Sequence, residues 1–265
     1  MARLRFTILG CGSSGGVPRI GDHWGACDPA NPRNRRLRCS LLIERDDRGG
    51  VTRVLIDTSP DLREQLLRVG VGTLDAVAFT HSHADHMHGL DDLRQIVFNT
   101  HALLPVWADG ATQEALMARF GYAFAQPEGS SYPPICALHT IRGPFEVTGA
   151  GGPIRLIPFQ VRHGDIDALG FRVGDIAYLP DVNDIPEPAW KALGDLDCWI
   201  LDALRYRPHP THAHLALALE WIARARPRQA VLTNMHIDLD YDRVEAETPA
   251  HVRAAFDGMV IEAEN

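Results

Sequence analysis

Residues 80–86 read THSHADH, and no other stretch constrains the chain so tightly: three histidines and an aspartate fall within six positions. The apolar run LDAVAF at 74–79 comes just before and predicts a short buried strand. Gly89 and the helix-patterned LDDLRQIVF follow. This spacing sets His81, His83, Asp85 and His86 on a loop between a strand end and a helix start, where α/β proteins place chemistry. Neutral imidazoles and a carboxylate are good ligands for zinc, manganese or iron. Neighbouring side chains diverge, so a single ion does not take all four. His81 and His83 can converge on one ion while Asp85 and His86 serve a second. Both ions then need ligands from later in the chain.

The chain has 265 residues, which suits one domain spanning 1–265. Its formal charge of −8 argues against general nucleic-acid binding and predicts no stable nucleic-acid partner. No apolar run reaches the length of a membrane helix. The opening MARLRFTILG reads as a strand running into a glycine loop rather than a signal peptide, because its apolar run is short and no small-residue cleavage site follows. The five cysteines, Cys11, Cys27, Cys39, Cys136 and Cys198, form no CxxC pair. Scattered and odd in number, they predict reduced thiols and a cytoplasmic setting.

Residues 5–9 predict the first strand. Gly10, Gly12 and Gly15 then match GxGxxG, but a dinucleotide fingerprint needs a helix opening at the third glycine. Gly16, Val17 and Pro18 break any helix, so that reading is rejected. The N–H groups of residues 12–16 and the arginines of PRNRRLR, Arg35 and Arg36 among them, are candidate holders of an anion. CSLLIE and TRVLID predict two strands joined by a DDRGG turn. Ser59 and Pro60 predict a helix start, with Leu62, Leu66 and Leu67 as its apolar side and Gly70 as its end. Residues 104–108 predict a strand, and Thr112 caps a helix through Phe120. Residues 125–153, rich in proline and glycine, predict no element and read as a lid, a substrate wall or an insertion. Strands follow at 154–163, 171–173 and 176–179, the last two around a Gly174-Asp175 turn. Further strands are predicted at 198–202 and 230–233, with a helix between them lined by Leu215, Leu219 and Ile222.

The missing ligands obey the rule that the metal loop obeys. His163, Asp181 and His236 each sit just after a predicted strand. An aspartate between two cations can bridge them, and two-metal hydrolytic centres hold their ions about 3.5–4 Å apart.

THSHADH resembles the HxHxDH signature of the metallo-β-lactamase-fold hydrolases. Their later ligands also come as histidine, aspartate and histidine after strands, matched here by His163 in QVRHG, Asp181 in YLPDV and His236 in LTNMH. The resemblance covers nearly the whole chain. It implies an αββα sandwich of two mixed β-sheets flanked by helices, and two divalent metal ions, zinc or manganese. It further implies that His81, His83 and His163 hold one ion, that Asp85, His86 and His236 hold the other, and that Asp181 bridges.

The opening LGCGSSGGVP, with RNRRLRCS before the second strand, is similar to the phosphodiesterase branch of that superfamily. The branch includes ribonuclease Z-type enzymes and PhnP-type cyclic-ribose phosphodiesterases; LIDTSPDLREQL also resembles the latter. PhnP-type enzymes carry a structural zinc held by cysteines and a histidine. Here only Cys27 stands in that region, followed by Asp28 and Pro29, and Leu239 falls near the expected histidine. No third metal is therefore expected. In THAH, His212 precedes Thr233 by the spacing of the branch's catalytic histidine, which assigns it the general-acid role, with His214 as the fallback. Asp85 is expected to orient the attacking water while it binds metal.

The implied activity is hydrolysis of a small nucleotide or cyclic-ribose phosphodiester. Three alternatives stand beside it: a ribonuclease Z-like nuclease, a thioester or lactone hydrolase on the same fold, and a non-catalytic nucleotide-binding protein. The expected partners are a small phosphodiester or nucleotide substrate, with a second copy of the chain as a further candidate and no membrane.

Overall fold

The computed structural model describes residues 3–47 and 49–264. Strand β1 (Arg3–Gly10) leads into an irregular stretch with one 3-10 turn at Pro32–Asn34. Strands β2 (Ser40–Asp47) and β3 (Gly50–Ile56) pair antiparallel as expected. Arg48, in the DDRGG turn, lies outside the described residues. Next come α1 (Leu62–Val69), β4 (Ala76–Ala78), the one-turn helix α2 (Ala84–Met87), α3 (Leu93–Thr100) and β5 (Leu104–Ala108). Helix α4 (Gly110–Phe124) precedes β6 (Cys136–Thr140), β7 (Phe145–Gly149) and β8 (Gly152–His163). The chain continues through β9 (Ile166–Val173), β10 (Ile176–Leu179), the short α5 (Glu187–Trp190) and β11 (Cys198–Asp202). It closes with α6 (Leu215–Ala225), β12 (Gln229–Thr233), α7 (Tyr241–Glu247), β13 (Val252–Ala254) and β14 (Val260–Glu264).

These strands make two mixed sheets of seven strands, in the orders β14-β1-β2-β3-β4-β5-β6 and β13-β12-β11-β10-β9-β8-β7. The chain divides into two compact units, each discontinuous in sequence. The first runs to Thr7 and adds Ser40–Leu156 and the chain from Val260 onward. The second takes Ile8–Cys39 and Ile157–Met259.

In the first unit β3, β4, β5 and β6 run parallel. Parallel strands need crossovers, and α1, α3 and α4 supply them. Strand β4 is wholly buried, which is why its sequence shows no alternation. In the second unit β8, β9 and β10 are antiparallel, while β10, β11, β12 and β13 are parallel. Their buried faces hold IAYL and CWILD, with Trp199 fully enclosed. Within each unit the parallel strands thus present their carboxyl ends together, and Asp57, His81, Asp181, Asp202 and His236 all follow or finish such ends.

Several local expectations shift. Helix α1 opens at Leu62, not Ser59, because Ser59 closes a turn: its Oγ accepts the Asp61 N–H at 3.1 Å and donates to Gln65 at 2.9 Å. Gln65 then takes the buried place beside Leu62 and Leu66, and Leu67 is exposed. Gly70 ends the helix as predicted, at φ 68°. The cap of α4 is Asp109, whose carboxylate accepts the Thr112 N–H at 2.8 Å, and the helix runs on to Phe124. Residues 125–153 are not a structureless lid. Strand β6 extends the first sheet beside β5, and β7 forms a hairpin with β8 across Gly149 and Gly152. Proline and glycine at the strand margins hid both strands from the pattern.

Candidate metal centre

The metal loop of the first unit is organised by Asp57, a residue the sequence pattern did not single out. It follows β3 in the left-handed region, φ 64°, which aspartate tolerates better than most residues. Its Oδ1 accepts the Thr80 N–H at 2.8 Å, and its Oδ2 accepts the Thr80 hydroxyl at 2.8 Å. The same Oδ2 lies 2.8 Å from His86 Nδ1. With its hydrogen given to Asp57, the Thr80 hydroxyl accepts from His81 Nδ1 at 2.9 Å. Both rings are therefore protonated at Nδ1 and keep the Nε2 lone pair, the arrangement found in metal-ligating histidines. Burial pushes the Asp57 carboxyl above its ordinary range, and His86 and Thr80 pull against that shift.

The loop is also locked through its backbone. The Thr58 N–H donates to His86 O at 2.8 Å, and the Gly89 N–H donates to Thr58 O at 3.0 Å. A Cβ on Gly89 would stand 1.9 Å from Ser59 O, so this approach requires glycine. From α4, Arg119 donates to Ser82 O at 2.6 Å. His81 and His83 bring ligand atoms within 4.8 Å of each other, as do His81 and His86. Asp85 Oδ2 lies 3.5 Å from His86 Nε2. His81 and His86 are buried, Asp85 is half-buried and His83 is exposed.

The second unit builds its own cluster around Asp181. His163, Asp181 and His212 place ligand atoms within 4.8 Å of one another. His163 Nδ1 donates to Thr211 O at 2.6 Å, which turns Nε2 toward Asp181 Oδ1 at 3.8 Å. His212 Nδ1 is 3.0 Å from Asp202 Oδ2 and 3.5 Å from Asp181 Oδ1. Asp202, fully buried at the end of β11, also accepts the Val182 N–H at 3.1 Å and the Asn234 amide at 3.1 Å. Asn234 reaches Asp181 as well, at 3.3 Å. Burial raises the Asp202 carboxyl to about 6, with His212 opposing the shift. Asp202 and Asn234 are further residues that sequence reasoning missed. A carboxylate directly after an apolar run, VLI before Asp57 and CWIL before Asp202, was the available signal for both.

His236 follows β12 but does not belong to the Asp181 cluster of three. Its Nδ1 lies 3.2 Å from Asp238, and its Nε2 faces the guanidinium of Arg19. Burial and then Arg19 lower its pKa below the ordinary histidine value. His214 is the N-cap residue of α6, its side chain making no cap hydrogen bond.

The PRNRRLR arginines have structural employment. Arg36 is 1 % exposed and donates to Leu239 O at 2.7 Å, Asn34 Oδ1 at 3.2 Å and His236 O at 3.3 Å. Arg35 stacks over Trp24 at 5.3 Å, and Arg33 over Tyr241 at 4.8 Å. Arg36 is thus not a phosphate holder: its buried charge is spent on carbonyl groups. Cys27 donates to Ile237 O and Leu239 O, each at 3.4 Å, with the Arg36 guanidinium 3.8 Å away.

The donor chemistry fits a divalent ion. His81, His86 and His163 have Nδ1 committed to an acceptor, so Nε2 is the ring nitrogen that would ligate, and carboxylates stand beside them. Such ligands bind as neutral imidazole and carboxylate, and their partners orient the rings.

A family model described as a β-lactamase superfamily domain matches residues 52–237. An octanoyltransferase of Porphyromonas gingivalis is 34 % identical over 263 residues, 97 % of this chain and 51 % of that protein. A ribonuclease Z of Bradyrhizobium diazoefficiens is 29 % identical over 148 residues, 53 % of this chain and 45 % of that protein. The chain spans about half the length of the curated relatives it matches. The crystal structure of a diphosphatase from the PhnP family superposes with a TM-score of 0.88 at 35 % identity, covering 99 % of this chain and 98 % of that one. Its likeness confirms the expected fold class and the resemblance to PhnP-type proteins. The family match runs from β3, the strand that leads into Asp57, to the residue after His236, and on that ground this chain belongs to the β-lactamase superfamily, with the metallo-β-lactamase fold.

Proposed function

We propose that the chain is a two-metal phosphodiesterase that cleaves a phosphoric diester or diphosphate bond in a small, nucleotide-sized substrate. The observation that carries this reading is His212, a half-buried imidazole held by the buried Asp202 carboxylate beside Asp181. Phosphoryl transfer to water needs a proton for the departing oxygen, and a positioned acid typically contributes 10²–10⁴-fold. His212 supplies that proton from Nε2 while Asp202 holds Nδ1. His81, His83 and His163 would hold one ion, Asp85, His86 and His236 the second, and Asp181 both. When bound, divalent ions such as zinc or manganese supply Lewis acidity and lower the pKa of water from about 15.7 toward 7. Asp85 and Asp181 orient the attacking water, and Asp57 keeps His81 and His86 in the ligating tautomer. The diphosphatase of the PhnP family supports a phosphorus-centred reaction, and the net charge of −8 favours a small substrate over a bound nucleic acid.

A second reading, an acyl thioester hydrolase, is favoured by the octanoyltransferase relative, which aligns with 97 % of this chain. The two separate on substrate. Protein reconstituted with zinc or manganese is expected to bind close to two equivalents. It should hydrolyse bis(p-nitrophenyl) phosphate or a dinucleoside diphosphate faster than an octanoyl thioester. Thioester turnover with no phosphoester turnover would reverse the assignment, and no metal uptake would end both readings.

A further inference from the structure

The cation that reaches His236 is Arg19, which lies on a tight reversal of the chain. Its backbone pairs with His23 in both directions, at 3.0 and 3.2 Å, and Gly21 and Asp22 turn the chain between them with positive φ. Ile20 stands fully exposed at the tip. Trp24 anchors the base: its Nε1 donates to Asp22 at 2.8 Å, and it packs on Val17, Cys27 and Ile237, the residue after His236. From this footing the Arg19 side chain runs back across Gly15, where a Cβ would meet its Nε at 3.2 Å and its Cγ at 3.3 Å. Its guanidinium ends on Nε2 of His236.

Several other candidate anion holders are engaged elsewhere. The N–H groups of Gly12, Ser13 and Gly16 donate to Leu37 O, Met235 O and Ser13 O. Arg36 is buried on carbonyl groups and Arg35 stacks on Trp24. Arg19, by contrast, has its guanidinium directed at a proposed ligand of this unit, His236. It donates to the same lone pair that a metal on His236 would take. One lone pair cannot serve a guanidinium and a divalent cation together, and their charges repel. A metal held by His236 would leave the Arg19 N–H fork for a neighbouring acceptor, and its planar donors match two oxygens of a phosphate.

We infer that Arg19 is the substrate-binding residue of this site, gripping non-bridging phosphate oxygens of an anionic substrate. The inference rests on the phosphodiesterase reading for its substrate class. Gly15 and the Trp24 footing set its reach.

The test titrates inorganic phosphate and diphosphate into metal-loaded wild type, Arg19→Ala and Arg19→Lys by calorimetry. Metal content is measured on each protein, and bis(p-nitrophenyl) phosphate hydrolysis on the wild type. Loss of a charge-assisted pair should weaken diphosphate binding roughly 10–100-fold in Arg19→Ala. Arg19→Lys should recover part of it, with metal equivalents unchanged in both. Equal affinity in wild type and Arg19→Ala would overturn the inference. So would loss of a metal equivalent in Arg19→Ala, since Arg19 would then support the metal site instead. A wild type that cleaves no phosphoester but whose diphosphate affinity still falls with Arg19→Ala would sink the phosphodiesterase reading and leave Arg19 as the anion grip. A wild type that binds neither anion overturns the inference outright.

Discussion

Asp57 Oδ2 lies 2.8 Å from Nδ1 of His86, and neither side chain touches solvent. The same oxygen governs His81 through Thr80. One carboxylate, 24 residues before the first histidine of the loop, thus orients two rings.

Asp57→Asn should therefore weaken metal binding without removing a ligand. Loss of a residue that orients a metal ligand typically costs 10–100-fold in affinity, and that loss is expected here by competition with a chromophoric chelator. Unchanged affinity would show that backbone locking through Thr58 and Gly89 suffices to hold the rings.

His212→Ala should fold and keep its metals. Its rate on an alkyl leaving group should fall by about 10²–10⁴, and the deficit should shrink with p-nitrophenolate, which needs little help to depart. His214→Ala should do less on both substrates, because His214 stands at the start of α6 and not on Asp202. The reverse ranking would make His214 the acid.

Arg36→Met should destabilise the protein with little change in the rate of fully loaded enzyme. The buried guanidinium makes hydrogen bonds worth about 1.5–3 kcal/mol each when charge-assisted, and methionine leaves the carbonyls of His236 and Leu239 without these donors. The denaturant midpoint is expected to drop by an amount equivalent to at least about 2 kcal/mol. A midpoint equal to wild type would mean that the carbonyls find other donors.

The five cysteines are buried and none is in a disulfide, and burial pushes Cys136 and Cys198 up to about 12 and raises Cys11 and Cys27 as well. Thiolate is the reactive form, so the native protein should resist a thiol reagent at pH 8 and react fully once unfolded. The folded state keeps thiol protons that the unfolded chain loses above its ordinary value near 9.0. Stability should therefore fall as pH rises past about 9. Rapid native labelling of any one cysteine would contradict this.

The metal loop was legible because its chemistry is local. Four donors within six residues, between an apolar run and a helix pattern, need no tertiary information. The later candidate ligands His163, Asp181 and His236 were singled out by a weaker rule, polar residues following buried strands, and the family resemblance supplied their order. Tertiary structure decided what surrounds them. Asp57, Asp202 and Asn234 look like turn residues in the sequence, because an aspartate or asparagine after a strand usually is one. Their partners lie 10 to 53 residues away and meet them only when parallel strands bring their ends together. Arg19 and His236 are 217 residues apart, beyond any local period. Arg36 offered no signal at all: a buried guanidinium and a solvated one have the same sequence pattern, and only the carbonyls folded around it decide which it is.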